Sequence, residues 1–305
     1  MKRLQYIVFI IVLFVAGQIA SEDGFPKLAG SYLGQKTPGT DPEIFAKDLT
    51  CRANAFGGFI FSKNGNEVFF FSVEKGKYLI LHSEISNGVW QPPKRIWSPI
   101  LGNEVHPFFS ADGSRLFFGS DRRIQPNRKV PYFNLWFRER NRDGWSEAKP
   151  LPPLINTGHE NCGSFRSDGR LYFRRVSPDT RGDIFQTDYL NGKFKTAVKL
   201  PGEINSLYDE SHPAVSADGS YLIFSSKRPG GFSKGKDELW ISFSNEKGEW
   251  RKAVNMGKAI NNGRNTSCAT ISPDGRYIFF VRIENGAIVS YWVSAGIVEA
   301  MRLKE

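Results

Sequence analysis

The chain has 305 residues, of which 40% are hydrophobic, 14% aromatic and 24% charged, a balance that excludes a disordered or collagenous protein. With 25 Phe, 10 Tyr and 7 Trp beside 30 Gly and 17 Pro, many short strands joined by tight turns are favoured over a helical bundle. Three cysteines are too few, and odd in number, for a disulfide framework.

In chain order the first element is an address. Lys2 and Arg3 precede an apolar run from Tyr6 to Ala16, then come Gly17, Ala20 and Ser21, and then acidic Glu22 and Asp23. This is the pattern of a secretory signal peptide, assigned to residues 1–20. The run falls well short of the roughly 20 residues that cross the hydrocarbon, so no membrane span is expected after cleavage. Cutting fits after Gly17 or after Ala20, and an uncleaved anchor is the alternative. No Cys stands at the junction to carry a lipoprotein anchor. Removing Lys2 and Arg3 takes the net charge from +10 to +8. A periplasmic or secreted location follows, and export argues against nucleic acid as the partner of this basic chain. Residues 21–41 read as an N-terminal extension and 42–305 as one domain.

That domain is a repeat. FIFSKNGNEVFFFS (59–72), PFFSADGSRLFFGS (107–120), GSFRSDGRLYFRR (163–175), PAVSADGSYLIFSS (213–226) and ATISPDGRYIFFVR (269–282) align, with turn residues Asn64, Asp112, Asp168, Asp218 and Asp274 spaced 48, 56, 50 and 56 apart. In each, a short strand runs into an Asn-Gly or Asp-Gly turn and returns as an aromatic strand, because both dipeptides tolerate the positive φ of a tight hairpin. A third strand follows in 77–85, 134–140, 183–190, 238–244 and 288–294, and a fourth opens at Trp90, Trp145, Phe194 or Trp250. Four strands per period of about 50 residues describe a β-propeller, whose radial layout protects its edges.

The fifth unit lacks a fourth strand. Ile155-Asn156, Ile204-Asn205 and Ile260-Asn261 each place the Ile twelve residues before a hairpin serine, at Ser167, Ser216 and Ser272. Twelve before Ser62 is Thr50, so residues 42–50 are expected to supply the missing strand and close a five-bladed ring. A six-bladed ring is the alternative.

SADGSRLFFGSDR, SADGSYLIFSSKRPGG and SPDGRYIFFVR resemble the WD40-like PD40 repeats of the TolB-like propellers. The resemblance covers most of the chain and departs at Asn64 and Arg166. It implies the fold and leaves activity open, since such repeats serve in binding proteins, in envelope assembly factors and as accessory domains of peptidases. Neither an appended catalytic domain nor the TolB helper domain is expected.

Two sets of residues are candidates for function. Eight positions before the turn residue stand Phe56, Glu104, Glu160, Glu210 and Thr266, and six before it Gly58, His106, Cys162, His212 and Cys268. The first strand of a propeller blade is innermost, so these positions form rings around the channel. Glu104, His106, Glu160, Glu210 and His212 are the candidate channel-mouth residues. Imidazole and thiolate together suit zinc or copper, although a structural role for the Glu-x-x-Pro pattern and buried apolar roles for the cysteines are the plainer reading, and neither a metal nor a cofactor is assigned. Cys268 could also form a disulfide with Cys162 or Cys51. The second set, Arg122, Arg123 and Arg128 with Lys227 and Arg228, lies in two long loops of the kind that carry binding function. Guanidinium groups there would recognise carboxylate or phosphate.

No Gly-x-Ser-x-Gly elbow, His-Glu-x-x-His helix or phosphate-cradling Gly-x-x-x-x-Gly-Lys loop occurs. The expectation is therefore a monomeric, non-enzymatic binding or scaffolding propeller for a protein or acidic glycan. A carbohydrate-active enzyme using the channel carboxylates is the alternative, since glycosidases work with paired carboxyl groups.

Overall fold

The computed structural model describes residues 25–47, 49, 57–97, 101–124, 132–177 and 181–303. The five hairpins fold into five antiparallel sheets arranged as blades. Their inner, second and third strands are Ile60–Phe61, Glu67–Glu74 and Lys77–Ser86 in blade 1, and Glu104–Phe109, Arg115–Ser120 and Asn134–Asn141 in blade 2. Blade 3 has His159–Phe165, Arg170–Val176 and Asp183–Leu190, blade 4 has Glu210–Val215, Tyr221–Ser226 and Glu238–Phe243, and blade 5 has Thr266–Ile271, Tyr277–Glu284 and Ala287–Ser294. The outer strand of blades 1 to 3 is broken into two short pieces, and the expected aromatics Trp90, Trp145 and Phe194 sit in the first piece of each. Trp250 instead makes an isolated bridge to Ser244, and Val254–Asn255 completes blade 4.

The ring is closed by the amino-terminal part of the chain. Glu43–Ile44 pairs with the third strand of blade 5 through Glu43 opposite Trp292 and Ile44 opposite Tyr291. The strand is shorter than the expected 42–50: Ala46 turns to a φ of 50°, and Phe45 instead buries its ring edge-on against Phe59 and Phe279. Upstream, the Trp90 indole donates to the Gly30 carbonyl at 2.8 Å, and Tyr32 packs among Phe61, Tyr277 and Trp292. Residues 1–20, read from the sequence as a signal peptide, and Cys51 lie outside the described residues.

The second strands are apolar on both faces because each blade is covered on both sides. In blade 2, Leu116 and Phe118 pack towards Phe69 and Ile80 of blade 1, while Phe117 between them packs towards Leu171 and Phe173 of blade 3. In blade 4, Leu222 and Phe224 meet blade 3, and Tyr221 and Ile223 meet Ile278 and Phe280 of blade 5. The period of two that sends alternate side chains to opposite faces therefore builds one apolar layer per blade junction.

The hairpins owe their shape to a hydroxyl and a carboxylate. Ser216 Oγ donates to Asp218 Oδ1 at 2.6 Å and accepts from the Tyr221 amide at 3.1 Å, while Asp218 accepts from the Ser220 amide. Ser110 with Asp112, Ser272 with Asp274 and Ser62 with Asn64 repeat the arrangement. Blade 3 departs from it. Arg166 holds the serine's place and pairs with Asp168 at 2.6 Å, and Ser167 donates to the Ala217 carbonyl of the neighbouring turn. Ser167 is thus one position out of step with Ser216 and Ser272, so the twelve-residue spacing is not a true equivalence there. A helix over Gly296–Arg302, absent from the sequence expectation, caps the junction of blades 4 and 5 with buried Val298.

Candidate functional site

The outer ring of candidates sits where each inner strand begins. Glu104 stands opposite Ser120, Glu160 opposite Arg175, Glu210 opposite Ser226 and Thr266 opposite Arg282. The three carboxylates are buried, and each is tied to an arginine. Glu104 pairs with Arg122 and accepts from the Trp97 indole. Glu160 accepts from Arg175 at 3.0 Å, from the Gly158 amide at 2.7 Å and from Asn134 of blade 2 at 3.1 Å. Glu210 accepts from Arg228 at 3.1 Å and from the Ser206 and Ser226 hydroxyls at 2.5 and 2.8 Å. Burial outweighs these bonds at Glu160 and raises its pKa.

The same arginines explain the recurrent Ile-Asn. Arg175 donates to the Ile155 carbonyl at 2.7 Å, Arg228 donates to that of Ile204, and Arg282 to that of Ile260 at 2.9 Å. The following asparagine faces the previous blade: Asn205 accepts from the Ile184 amide at 2.8 Å and donates to its carbonyl at 2.9 Å. Asn156 and Asn261 do the same at Leu135 and Leu239. Backbone bonds join neighbours too, from Glu160 to Phe133, Glu210 to Gly182 and Thr266 to Asp237. Glutamate, arginine, isoleucine carbonyl and asparagine form one clamp at the junctions of blades 2 with 3 and 3 with 4, whereas Thr266 takes the glutamate's place between blades 4 and 5 and Glu104 meets Arg122 and Trp97. This is a structural use of buried charge, in which each carboxylate is paired and hydrogen-bonded while Arg122 Nε is left without a partner.

The basic loops emerge at the same end. Arg122 and Arg228 belong to the clamp, and their guanidinium groups lie over Phe118 and Trp136 and over Phe224 and Trp240. Lys227 pairs with Asp209 at 3.6 Å, Arg123 is exposed, and Arg128 lies outside the described residues. From the loops and connections at this end, Leu101, Ile124, Tyr132, Leu207, Tyr208 and Phe232 present large apolar side chains to solvent.

Two residues further along the inner strand the second ring is different. A bulge interrupts the ladder between Val105 and Phe108, Glu160 and Gly163, Ser211 and Ala214, and Ser267 and Thr270. His106, His212 and Cys268 sit in these bulges with φ of 50°, 50° and 56°, matching Gly58 at 67° in blade 1. The bulge re-aims a side chain, here into the channel. The His106 and His212 rings meet edge to face with centroids 4.6 Å apart, and Phe71 covers the far side of His106. A cavity of about 30 Å³ lies among His106, Cys162, His212 and Cys268. The ligating atoms of His106, His212 and Cys268 all lie within 4.8 Å of one another.

This waist disfavours charge. Burial, reinforced by the positive Arg174, holds His106 down to about 4 and His212 well below the ordinary imidazole value, where the neighbouring His106 adds to the effect. Burial pushes the Cys162 thiol up to about 11 and that of Cys268 to about 12. Both are free thiols, so the bridge considered for Cys162 with Cys268 is not formed. Arg174, which pairs with Asp209 at 3.0 Å, had no sequence signal because the positions equivalent to it in the ladder are Gly119, Ser225 and Val281. At the opposite end, the hairpin turns surround a wider funnel of about 320 Å³ lined largely by apolar and hydroxyl side chains such as Ile60, Phe109, Ser216 and Ile271.

No family model and no curated protein matches the chain. Among solved structures, TolB from Acinetobacter baumannii is similar with a TM-score of 0.51 and 14% identity over 78% of this chain, which spans 56% of the length of that one. A putative TolB from Agrobacterium tumefaciens gives 0.49 and 16% over 77% of this chain and 72% of that one. The α-L-arabinofuranosidase PaAbf62A from Podospora anserina gives 0.47 and 12% over 88% and 93%. At such identities the likeness is one of fold, and the fold is a TolB-like β-propeller with five blades.

Proposed function

We propose that the protein is an exported, non-enzymatic propeller that binds a protein partner in the cell envelope through the face bearing its long loops. The observation that carries this reading is the contrast on that face between engaged charges and free apolar groups. Glu104, Glu160 and Glu210 are buried in ion pairs, whereas Leu207 is 92% and Phe232 52% exposed. A glycosidase needs two carboxyl groups facing a substrate in different environments, and three buried carboxylates each paired with an arginine do not supply them. An acidic glycan would need a cluster of free guanidinium groups, whereas Arg122 and Arg228 are committed to ion pairs and Lys227 pairs with Asp209, leaving Arg123 exposed. Aromatic and aliphatic side chains on loops held by a rigid scaffold suit a protein surface.

The test is site-specific photocrosslinking in the envelope of a producing cell, with the reactive side chain placed at Phe232 or Leu207 and, as a control, at Lys63 on the turn face. A discrete protein adduct from the loop face alone, lost when the other of the two positions becomes Asp, is expected. Retention of acidic polysaccharide by the purified protein without such an adduct would replace the protein partner by a glycan. Release of reducing ends that disappears in Glu104→Gln and Glu210→Gln would replace binding by catalysis.

A further inference from the structure

We infer that the waist of the channel is a zinc site in which His106, His212 and Cys268 are ligands and Cys162 is the fourth donor. The three ligating atoms already lie within 4.8 Å of one another. Zinc–nitrogen bonds of about 2.0–2.1 Å and zinc–sulfur bonds of about 2.3 Å put neighbouring donors roughly 3.5 Å apart, so small side-chain rotations close the set. The space of about 30 Å³ between them is the size for one ion or one water.

Four further features point the same way. Nε2 of His212 is buried without a hydrogen-bond partner, a cost that metal coordination removes. Its Nδ1 lies 3.0 Å from the Ser211 hydroxyl, which fixes the ring and leaves Nε2 for the ion. Ser267 Oγ lies 3.7 Å from Cys268 Sγ and orients that sulfur. Lastly, three non-glycine residues accept positive φ where blade 1 has Gly58, and strain of this kind gathers at sites where a side chain must be aimed.

The donor set selects the ion. Two imidazoles and two sulfurs in a tetrahedral space suit zinc, whereas calcium and magnesium require oxygen ligands. On binding, each thiol transfers its proton to solvent as its sulfur–metal bond forms. Two thiolates then balance the two positive charges of zinc, which the nearby Arg174 guanidinium would otherwise oppose. The ion would pin blades 2, 3, 4 and 5 together at the axis, independently of what the loop face binds.

The experiment uses the reduced mature chain, stripped with a chelator and titrated with cobalt(II) and then zinc(II). One equivalent of cobalt should give tetrahedral d–d absorption with a thiolate-to-cobalt charge-transfer band, and one equivalent of zinc should bleach it and raise the Tm. His106→Gly, His212→Gly and Cys268→Gly copy the glycine of blade 1, so they should keep the wild-type circular dichroism while losing about tenfold or more in affinity. Cys162→Ser should keep cobalt binding with a weaker charge-transfer band. Absence of the tetrahedral spectrum, unchanged affinity in His212→Gly and Cys268→Gly, or a copper(I) complex that zinc cannot displace or match would each overturn the zinc assignment.

Discussion

The rim and the waist of the channel are built from the same repeat, two residues apart on the same strands, and they have opposite characters. At the rim the repeat places Glu104, Glu160 and Glu210 each against an arginine, with an isoleucine carbonyl and the following asparagine completing the clamp at Glu160 and Glu210. Even the arginines differ in origin. Arg175 lies directly across the ladder from Glu160, whereas Arg122 and Arg228 curl back from two residues beyond the second strand. Different backbone positions supplying one guanidinium indicate that the clamp itself is what the fold requires. At the waist the equivalent residues are Gly58, His106, Cys162, His212 and Cys268, and a buried imidazole nitrogen is left without a partner. Equivalent carboxylates that are each paired with an arginine mark architecture, and divergent residues converging on one cavity mark a site.

The largest effect that can break this comparison is at the rim. Glu160→Gln leaves Arg175 buried beside a neutral amide and should cost about 3–5 kcal/mol, as removal of one partner of a buried pair does; chemical denaturation measures it. A variant as stable as the wild type would remove the structural reading of the rim. Asn205→Ala strips partners from the Ile184 amide and carbonyl and should cost about 2–3 kcal/mol, read from the same denaturation curve with the m-value unchanged.

A smaller effect is expected at the turn end. Asp274 is held down to about 2 by hydrogen bonds from Ser272, Arg276 and Tyr32 that outweigh its burial. A carboxylate lowered on folding contributes stability that is fully present above its ordinary value of 3.8 and is lost as pH falls through the folded value. Asp274→Asn should therefore cost about 1 kcal/mol at neutral pH, allowing for solvent screening of this partly exposed group, and should flatten the acid limb of the stability profile between those two values. The smallest effect is expected at the waist. His212→Gly in the metal-free protein should change stability by no more than about 1 kcal/mol, because relief of the positive φ offsets lost packing. A loss as large as that of Glu160→Gln would erase the distinction between rim and waist.

Much of this was legible in the residues. The Asp-Gly turns, the aromatic second strands and the Ile-Asn pairs announce a repeat, since each is a local device whose partner is a few residues away or at a fixed period. The closing strand was legible because an open fifth sheet needs a partner, and Glu43–Ile44 supplies it. Ser167 misled because a hydroxyl one position out of step still fits a string comparison, and only its bond to Ala217 shows that it serves the next turn. Arg122 and Arg228 read as loop groups for a carboxylate or phosphate ligand, because a sequence does not show which buried carboxylate a long side chain folds back to meet. The helix over Gly296–Arg302 gave too short a pattern to register apart from the strand before it.

What the sequence determined by itself is the blade: hairpin chemistry, strand period and the count of five follow from local spacing and from the need to pair every sheet edge. What the tertiary structure decided is which of the equivalent polar groups have partners. The rim glutamates and the waist histidines are alike in sequence as polar residues that recur at a fixed distance before the hairpin turn. They part only when each blade's own arginine folds onto the one ring and neighbouring blades bring a second imidazole and two thiols to the other, because burial makes the value of a charge depend on what lies within a few ångströms across the chain.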